Sequence, residues 1–157
     1  SLRRQRQMCI RDRNHYVGRT SHVVEYVGHE LLSLTIRFVP PSSMGLNEDR
    51  LKQQGEVAIC ARGGIAGTPM ETGWLVHHLR PVEGGCEMRS RFWLGGQNVC
   101  ARGMDNRWGR WLGGLAAHFN PLSPTQASEL LVHCAQEMTH LAALLPDLYQ
   151  TFGPTKA

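Results

Sequence analysis

From Ser123 onward the chain spells one long helix, and that helix limits what the rest of the fold can be. Ser123 offers an N-cap oxygen, Pro124 suits the first helical position, and Gln126 stands where a capping box closes. Leu130, Leu131, Cys134, Met138, Leu141, Ala142 and Leu145 then recur at helical spacing, giving a broad apolar face that needs a partner surface. The helix is expected to reach about Leu145. Pro146 should end it, because an interior proline removes a backbone donor and clashes with the preceding turn, leaving one more turn over residues 147–152.

Everything upstream reads as strand and turn. The run VVEYVGHELLSLTIRFV (23–39) is rich in β-branched and apolar residues; Gly28 interrupts it and Pro40-Pro41 ends it, which fits two strands or one bulged strand. A polar turn region (47–54) precedes a short strand from Val57 to Ala61. TGWLVHHLR (72–80) and EMRSRFWL (87–94) flank a glycine-bearing loop and predict a hairpin. From Gly95 to Phe119 glycines, arginines and tryptophans suggest a loop-rich cover with a short helix near Trp108–Phe119. Strands followed by one long helix predict an α+β domain in which a curved antiparallel sheet wraps the helix and leaves a cavity between them.

Composition removes some functions. Lys and Arg number 17 against 13 Asp and Glu, but Arg3, Arg4, Arg6, Arg11, Arg13 and Asp12 all fall in the first thirteen residues, so the remainder is balanced. No basic face is demanded, and a nucleic-acid partner is not expected. The opening SLRRQRQMCIRDR has no usable period; it is expected to be non-native, adapter-like sequence or a disordered basic leader over residues 1–13, with residues 14–157 forming the C-terminal part of a single domain. No stretch approaches the ~18 apolar residues of a membrane span, and no signal-peptide pattern is visible. Cys9, Cys60, Cys86, Cys100 and Cys134 form no C-x-x-C pair and are odd in number, which points to reduced thiols and a cytoplasmic setting. Homo-oligomer formation stays open.

Chemistry concentrates on the helix. His133 and Glu137 lie four residues apart and His140 three further on, so three metal-capable side chains share one face. An imidazole and a carboxylate at i and i+4 can ligate one divalent cation, with the remaining ligands coming from elsewhere; the alternative is a solvated pair on an amphipathic helix.

The segments VVEYVG (23–28), IRFVPPSSMG (36–45), HHLRPVEGGCEMRSRFWLG (77–95) and HCAQEMTHLAALLPDLY (133–149) resemble the 2,4-diacetylphloroglucinol hydrolase and phloretin hydrolase family, from about Asn14 to Tyr149. That resemblance implies a Bet v 1-like helix-grip fold, incomplete at the N-terminus. It also implies zinc-dependent (Zn2+) hydrolysis of the C–C bond between an acyl group and a phloroglucinol-type phenol, with a small phenolic ketone as substrate. The family holds its metal with two His and two Glu; three of these fall on Glu25, His133 and Glu137. The remaining His lies upstream of the first long strand in the family, so the chain is expected to lack it and to bind zinc poorly. His15 and His22 are the nearest substitutes, though His22 should point away from Glu25 on a strand.

His77 and His78 fall where the family places a histidine that acts on substrate and water; on a strand only one of them can face the cavity. Arg89 or Arg91 could orient a phenolate, or simply form a solvated sheet face. Phe92 and Trp93 lie beside them and, with Arg91 and His140, are candidates to contact substrate; Trp93, Trp108, Trp111 and Phe119 could line an aromatic pocket or pack as ordinary core. His140 is expected to support the site from outside the ligand set. The rival function is a non-catalytic helix-grip carrier of hydrophobic or phenolic ligands, since fold alone does not separate carrier from enzyme.

Overall fold

The computed structural model describes residues 16–95, 99–119 and 123–152. Its centre is a five-stranded sheet formed by β1 (Thr20–Val27), β2 (Glu30–Val39), β3 (Val57–Ile65), β5 (Gly73–Val82) and β6 (Gly85–Leu94), in the order β1-β2-β3-β5-β6 with every pairing antiparallel. The 23–39 run resolves into two strands paired from Thr20–Arg37 to Val27–Glu30 across a Gly28-His29 turn. Gly28 has φ +60°, and a Cβ there would sit 2.7 Å from the Glu129 carboxylate, so glycine both makes the turn and admits the C-terminal helix. The expected β5–β6 hairpin forms, paired from Gly73–Leu94 to Val82–Gly85. β3 continues past Ala61 to Ile65, because its glycine-rich end still pairs with β2.

Several elements lay below the reach of the sequence pattern. The supposed polar turn holds α1 (Glu48–Gln53), capped by Asn47, whose side-chain oxygen accepts from the Arg50 N–H at 2.9 Å. A two-stranded sheet joins β4 (Met70–Glu71) to β7 (Cys100–Ala101). Next comes α2 (Arg107–Phe119), which docks on β7 through a bare backbone: a Cβ on Gly113 would lie 2.3 Å from the Cys100 Cα.

The last helix, α3 (Pro124–Phe152), starts where expected. Ser123 Oγ accepts from the Gln126 N–H at 3.1 Å, and Gln126 Oε1 accepts from the Ser123 N–H at 3.2 Å, closing the capping box. Its end is a correction: Pro146 lies inside the helix, which continues to Phe152. The carbonyl that Pro146 leaves without a partner belongs to Ala142, an exposed residue, so solvent can satisfy it.

The two faces of the large sheet differ. One carries Val39, Ala58, Cys60 and Val76, buried beneath Met44, Leu46 and Leu51. The other carries Leu34, Ile36, Phe38, Ile59, Leu75 and Phe92, all half-buried, on the side of α3. α3 comes closer to the edge strands β1 and β6 than to the three strands between them, as a sheet bent around a helix requires. The 1–13 leader and His15 lie outside the described residues. No described helix is long and apolar enough to cross a membrane.

Candidate metal centre

Strand alternation turns Val23, Glu25 and Val27 toward α3, and helical periodicity turns His133 and Glu137 back toward β1. The three side chains meet. His133 Nε2 lies 3.0 Å from Glu25 Oε2 and 3.8 Å from Glu137 Oε1. One ligand atom from each residue falls within 4.8 Å of the other two, although Glu25 and His133 are 108 residues apart in the chain. Among the described residues neither carboxylate pairs with a Lys or Arg, so two acidic groups bracket one imidazole without a neutralising cation. One nitrogen and two carboxylate oxygens form a donor set that fits a divalent metal such as zinc and leaves coordination positions for further ligands. Beside them, Cys134 is a neutral thiol: burial first, then the Glu137 and Glu25 charges, pushes its pKa up to about 11.

His140 is exposed and is not among the converging groups. His22 sits on the face of β1 opposite Glu25, with Nδ1 3.3 Å from Thr35 Oγ1. It lines, with Thr35, Arg37 and Arg102, a shallow cavity of about 510 Å³ that is on the wrong side of the sheet for the His133 cluster.

Register separates the two adjacent histidines. Glu25 pairs with Leu32, Ile36 with Gly63, and Ile59 with His77, so His77 shares the Glu25 face and looks toward α3. Its Nδ1 lies 2.7 Å from Ser90 Oγ, the residue opposite on β6, and its ring stands edge-on to Phe92 with centroids 6.3 Å apart. Burial lowers the His77 pKa, which favours the neutral ring. His78 faces the other way, with Nε2 2.7 Å from Glu56 Oε2.

The same alternation divides the group that was expected to touch substrate. Phe92 is on the His77 side, whereas Arg91 and Trp93 are on the opposite face. Arg89 also lies on that far side, where it and Arg80 bond the Glu87 carboxylate as a solvent-facing cluster. Trp108 and Trp111 are 68% and 58% exposed on α2 and meet each other edge-to-face, so they do not close an aromatic pocket; the Phe119 side chain lies outside the described residues.

A second polar cluster joins β2, β3, β4 and the segment before α2. Arg37 Nε and Nη2 donate to the two oxygens of fully buried Glu71, each at 2.8 Å, and the same guanidinium bonds Asp105. Arg62, also buried, ion-pairs with Asp105 at 3.1 Å, stacks 4.2 Å over Trp74 and donates to Cys100. Arg37 first holds the Asp105 carboxyl below its usual range. The clue available in the sequence was Arg62 and Glu71 inside strand-like apolar runs, where unpaired charge is not tolerated.

Fold and site together define an α+β domain in which a sheet strand and a long helix bring a His and two Glu to one point beside an apolar sheet face. Residues 2–150 match the model of the DAPG hydrolase PhiG domain, and the chain belongs to that family. It is 34% identical over 142 residues to a 2,4-diacetylphloroglucinol hydrolase of Pseudomonas sp, covering 89% of this chain and 48% of that protein. It is 33% identical over 142 residues to a 2,4-diacetylphloroglucinol hydrolase of Pseudomonas protegens, covering 89% of this chain and 46% of that one. The chain therefore spans about half the length of these curated relatives.

Proposed function

We propose that this chain carries the metal-binding and proton-transfer groups of a zinc-dependent hydrolase that cuts the C–C bond between an acyl group and a phloroglucinol-type ring. The observation that carries this reading is the approach of Glu25, His133 and Glu137 to within 4.8 Å, on the sheet face that also bears His77. In this reading the domain is of the Bet v 1-like helix-grip kind, phloretin-type ketones are substrates of the same class, and the reduced cysteines belong to a cytoplasmic protein.

Glu25, His133 and Glu137 would hold the zinc with at least one further ligand. When bound, the metal supplies Lewis acidity toward a ring or acyl oxygen and lowers the pKa of water toward about 7. The half-buried apolar side chains Leu75, Ile59 and Phe92 take the planar ring and keep bulk water from it.

The leaving group dictates what the protein must do. An aryl carbanion leaves poorly, so the ring carbon that bears the acyl group first gains a proton and the ring becomes its keto form. Water then adds to the acyl carbon, the C–C bond breaks with its electron pair moving onto the ring ketone oxygen, and loss of no further atom restores the phenol once that oxygen is protonated. A carboxylic acid is the second product. In this reading neutral His77 takes the proton from water and returns one to the ring system, a role that its lowered pKa supports.

A carrier of the same fold has no use for an imidazole bracketed by two carboxylates. The test is to measure zinc stoichiometry and acetate release from 2,4-diacetylphloroglucinol with the purified chain, alone and after zinc loading. Ring binding without acid release, together with no retained metal, would replace this reading with the carrier.

A further inference from the structure

The geometry points to Ser90 as a positioning residue that fixes the tautomer of His77, accepting a hydrogen bond from Nδ1–H so that Nε2 presents its lone pair to the space between sheet and α3. The consequence for catalysis rests on the hydrolase reading above; the tautomer itself does not.

Ser90 is the direct cross-strand partner of His77, so the register of β5 and β6 already places the two side chains on one face. Their atoms are 2.7 Å apart, a full hydrogen bond between Nδ1 and Oγ. A hydroxyl can either donate or accept, and the surroundings decide which. Among the described residues Nε2 has no hydrogen-bond partner, while the neighbours on its face are Leu75, Leu79, Ile59 and Phe92. If Ser90 donated to Nδ1, the proton of the neutral ring would sit on Nε2, where a half-buried N–H would have apolar neighbours and only water to accept from it. A thinly hydrated donor costs more than a thinly hydrated acceptor, so the Nδ1–H form is favoured. Phe92 stands edge-on to the ring with centroids 6.3 Å apart, on the same face as Ser90.

Which nitrogen of a histidine carries the proton is set by the bond the other nitrogen makes. With Nδ1–H committed to Ser90, the ring is held as an acceptor through Nε2, the form a general base requires. The pair also explains a polar residue at position 90 on a strand face otherwise lined by Met88, Phe92 and Leu94.

The experiment is long-range proton–nitrogen NMR on the full chain labelled with 15N-histidine, at a pH where His77 is neutral, with the His77 signals assigned by their loss in His77→Gln. The expected spectrum shows a protonated Nδ1 and an unprotonated Nε2; Ser90→Ala should shift His77 toward a tautomer mixture, and Ser90→Thr should restore the parent pattern. A parent spectrum with the proton on Nε2, or a Ser90→Ala spectrum identical to the parent, overturns the proposal whether or not the chain is active. In the hydrolysis assay Ser90→Ala should lower kcat by ~10-fold, less than loss of the general base itself, with KM and zinc content little changed and Ser90→Thr recovering the rate. The expected NMR pattern in a protein that binds zinc but releases no acid would instead leave the Ser90 assignment standing and remove the hydrolase reading.

Discussion

The two faces of the five-stranded sheet are made from the same strands, yet they are built to opposite specifications. The far face is closed at its centre, where Val39, Cys60 and Ala58 are almost fully buried and the charges are paired, Arg37 and Arg62 against Glu71 and Asp105, while its rims on β1 and β6 carry exposed Val24, Tyr26 and Trp93. The α3 face is less closed: apart from buried Val27 and Ala61, its larger aliphatic and aromatic residues remain half-exposed, and its polar groups, Glu25 and His77, look toward the helix side. Alternation along each strand assigns one residue to stability and the next to chemistry, as His77 and His78 show within a single dipeptide. Changes on one face should therefore alter folding and changes on the other should alter function, with little crossover.

The largest effect expected is on the open face. His77→Gln should reduce acylphloroglucinol hydrolysis by about 10² to 10⁴, the usual contribution of a general acid or base, while the urea midpoint and zinc content stay near the parent values. His78→Gln removes only the contact to Glu56 and should leave turnover within a factor of a few. Equal losses for the two variants would break the division between the faces.

On the closed face, Glu71→Ala should destabilise the fold by about 3 kcal/mol, because it removes the buried carboxylate that takes Nε and Nη2 of Arg37 and leaves Asp105 as the one acidic group that Arg37 and Arg62 share among the described residues. Urea unfolding measures this. Replacing Glu71 should not change the zinc affinity of the protein that remains folded; a large drop in affinity would show that the two faces are coupled through β2 and β3.

A smaller effect belongs to the metal cluster. Glu25→Gln keeps the shape of the side chain and removes its charge, and should weaken zinc binding by at least ~10- to 100-fold, the range seen even when a group outside the ligand set is lost. Stability without metal should stay level or rise, since Glu25 and Glu137 no longer repel across His133. Titration with a competing chelator, paired with urea melts of the metal-free protein, separates these outcomes.

Legibility in the sequence followed the range of the interaction. The α3 capping box is written within four consecutive residues and was visible, as was the β5–β6 hairpin. The Asn47 cap of α1 was equally local, but a six-residue helix carries too little periodicity to stand out from a polar turn. The two-residue strands β4 and β7 leave no pattern at all. Pro146 misled because its cost depends on whether the freed carbonyl can reach solvent, which is a tertiary fact. The Arg37 network joins residues 34 and 68 apart, and nothing near Arg37 in the chain announces Glu71 or Asp105. Glu25 and His133 are farther apart still, and residue patterning marked only the helical half of that pair; the strand half entered through the family resemblance. Which of His77 and His78 faces the helix followed from register, which a lone strand does not fix.

The smallest expected effect uses pH to separate the faces. Burial lowers the His77 pKa below its ordinary 6.5, so above that value the ring is neutral in both folded and unfolded chains and contributes no pH dependence. As pH falls below 6.5 the unfolded chain takes up the proton first, and stability declines until the folded protein can also be protonated. Asp105 acts in a lower window: Arg37 holds its pKa below 3.8, so its contribution is complete above 3.8 and is lost as pH falls through the folded value. Urea unfolding across both windows should therefore show two separate declines. His77→Gln should flatten the upper one alone, and Asp105→Asn should shrink the lower one alone, where Glu87, held low by Arg89 and Arg80, also contributes; neither His77 nor Asp105 contributes to the other's shift. If either substitution flattened both windows, the open and closed faces would have to be treated as one electrostatic unit.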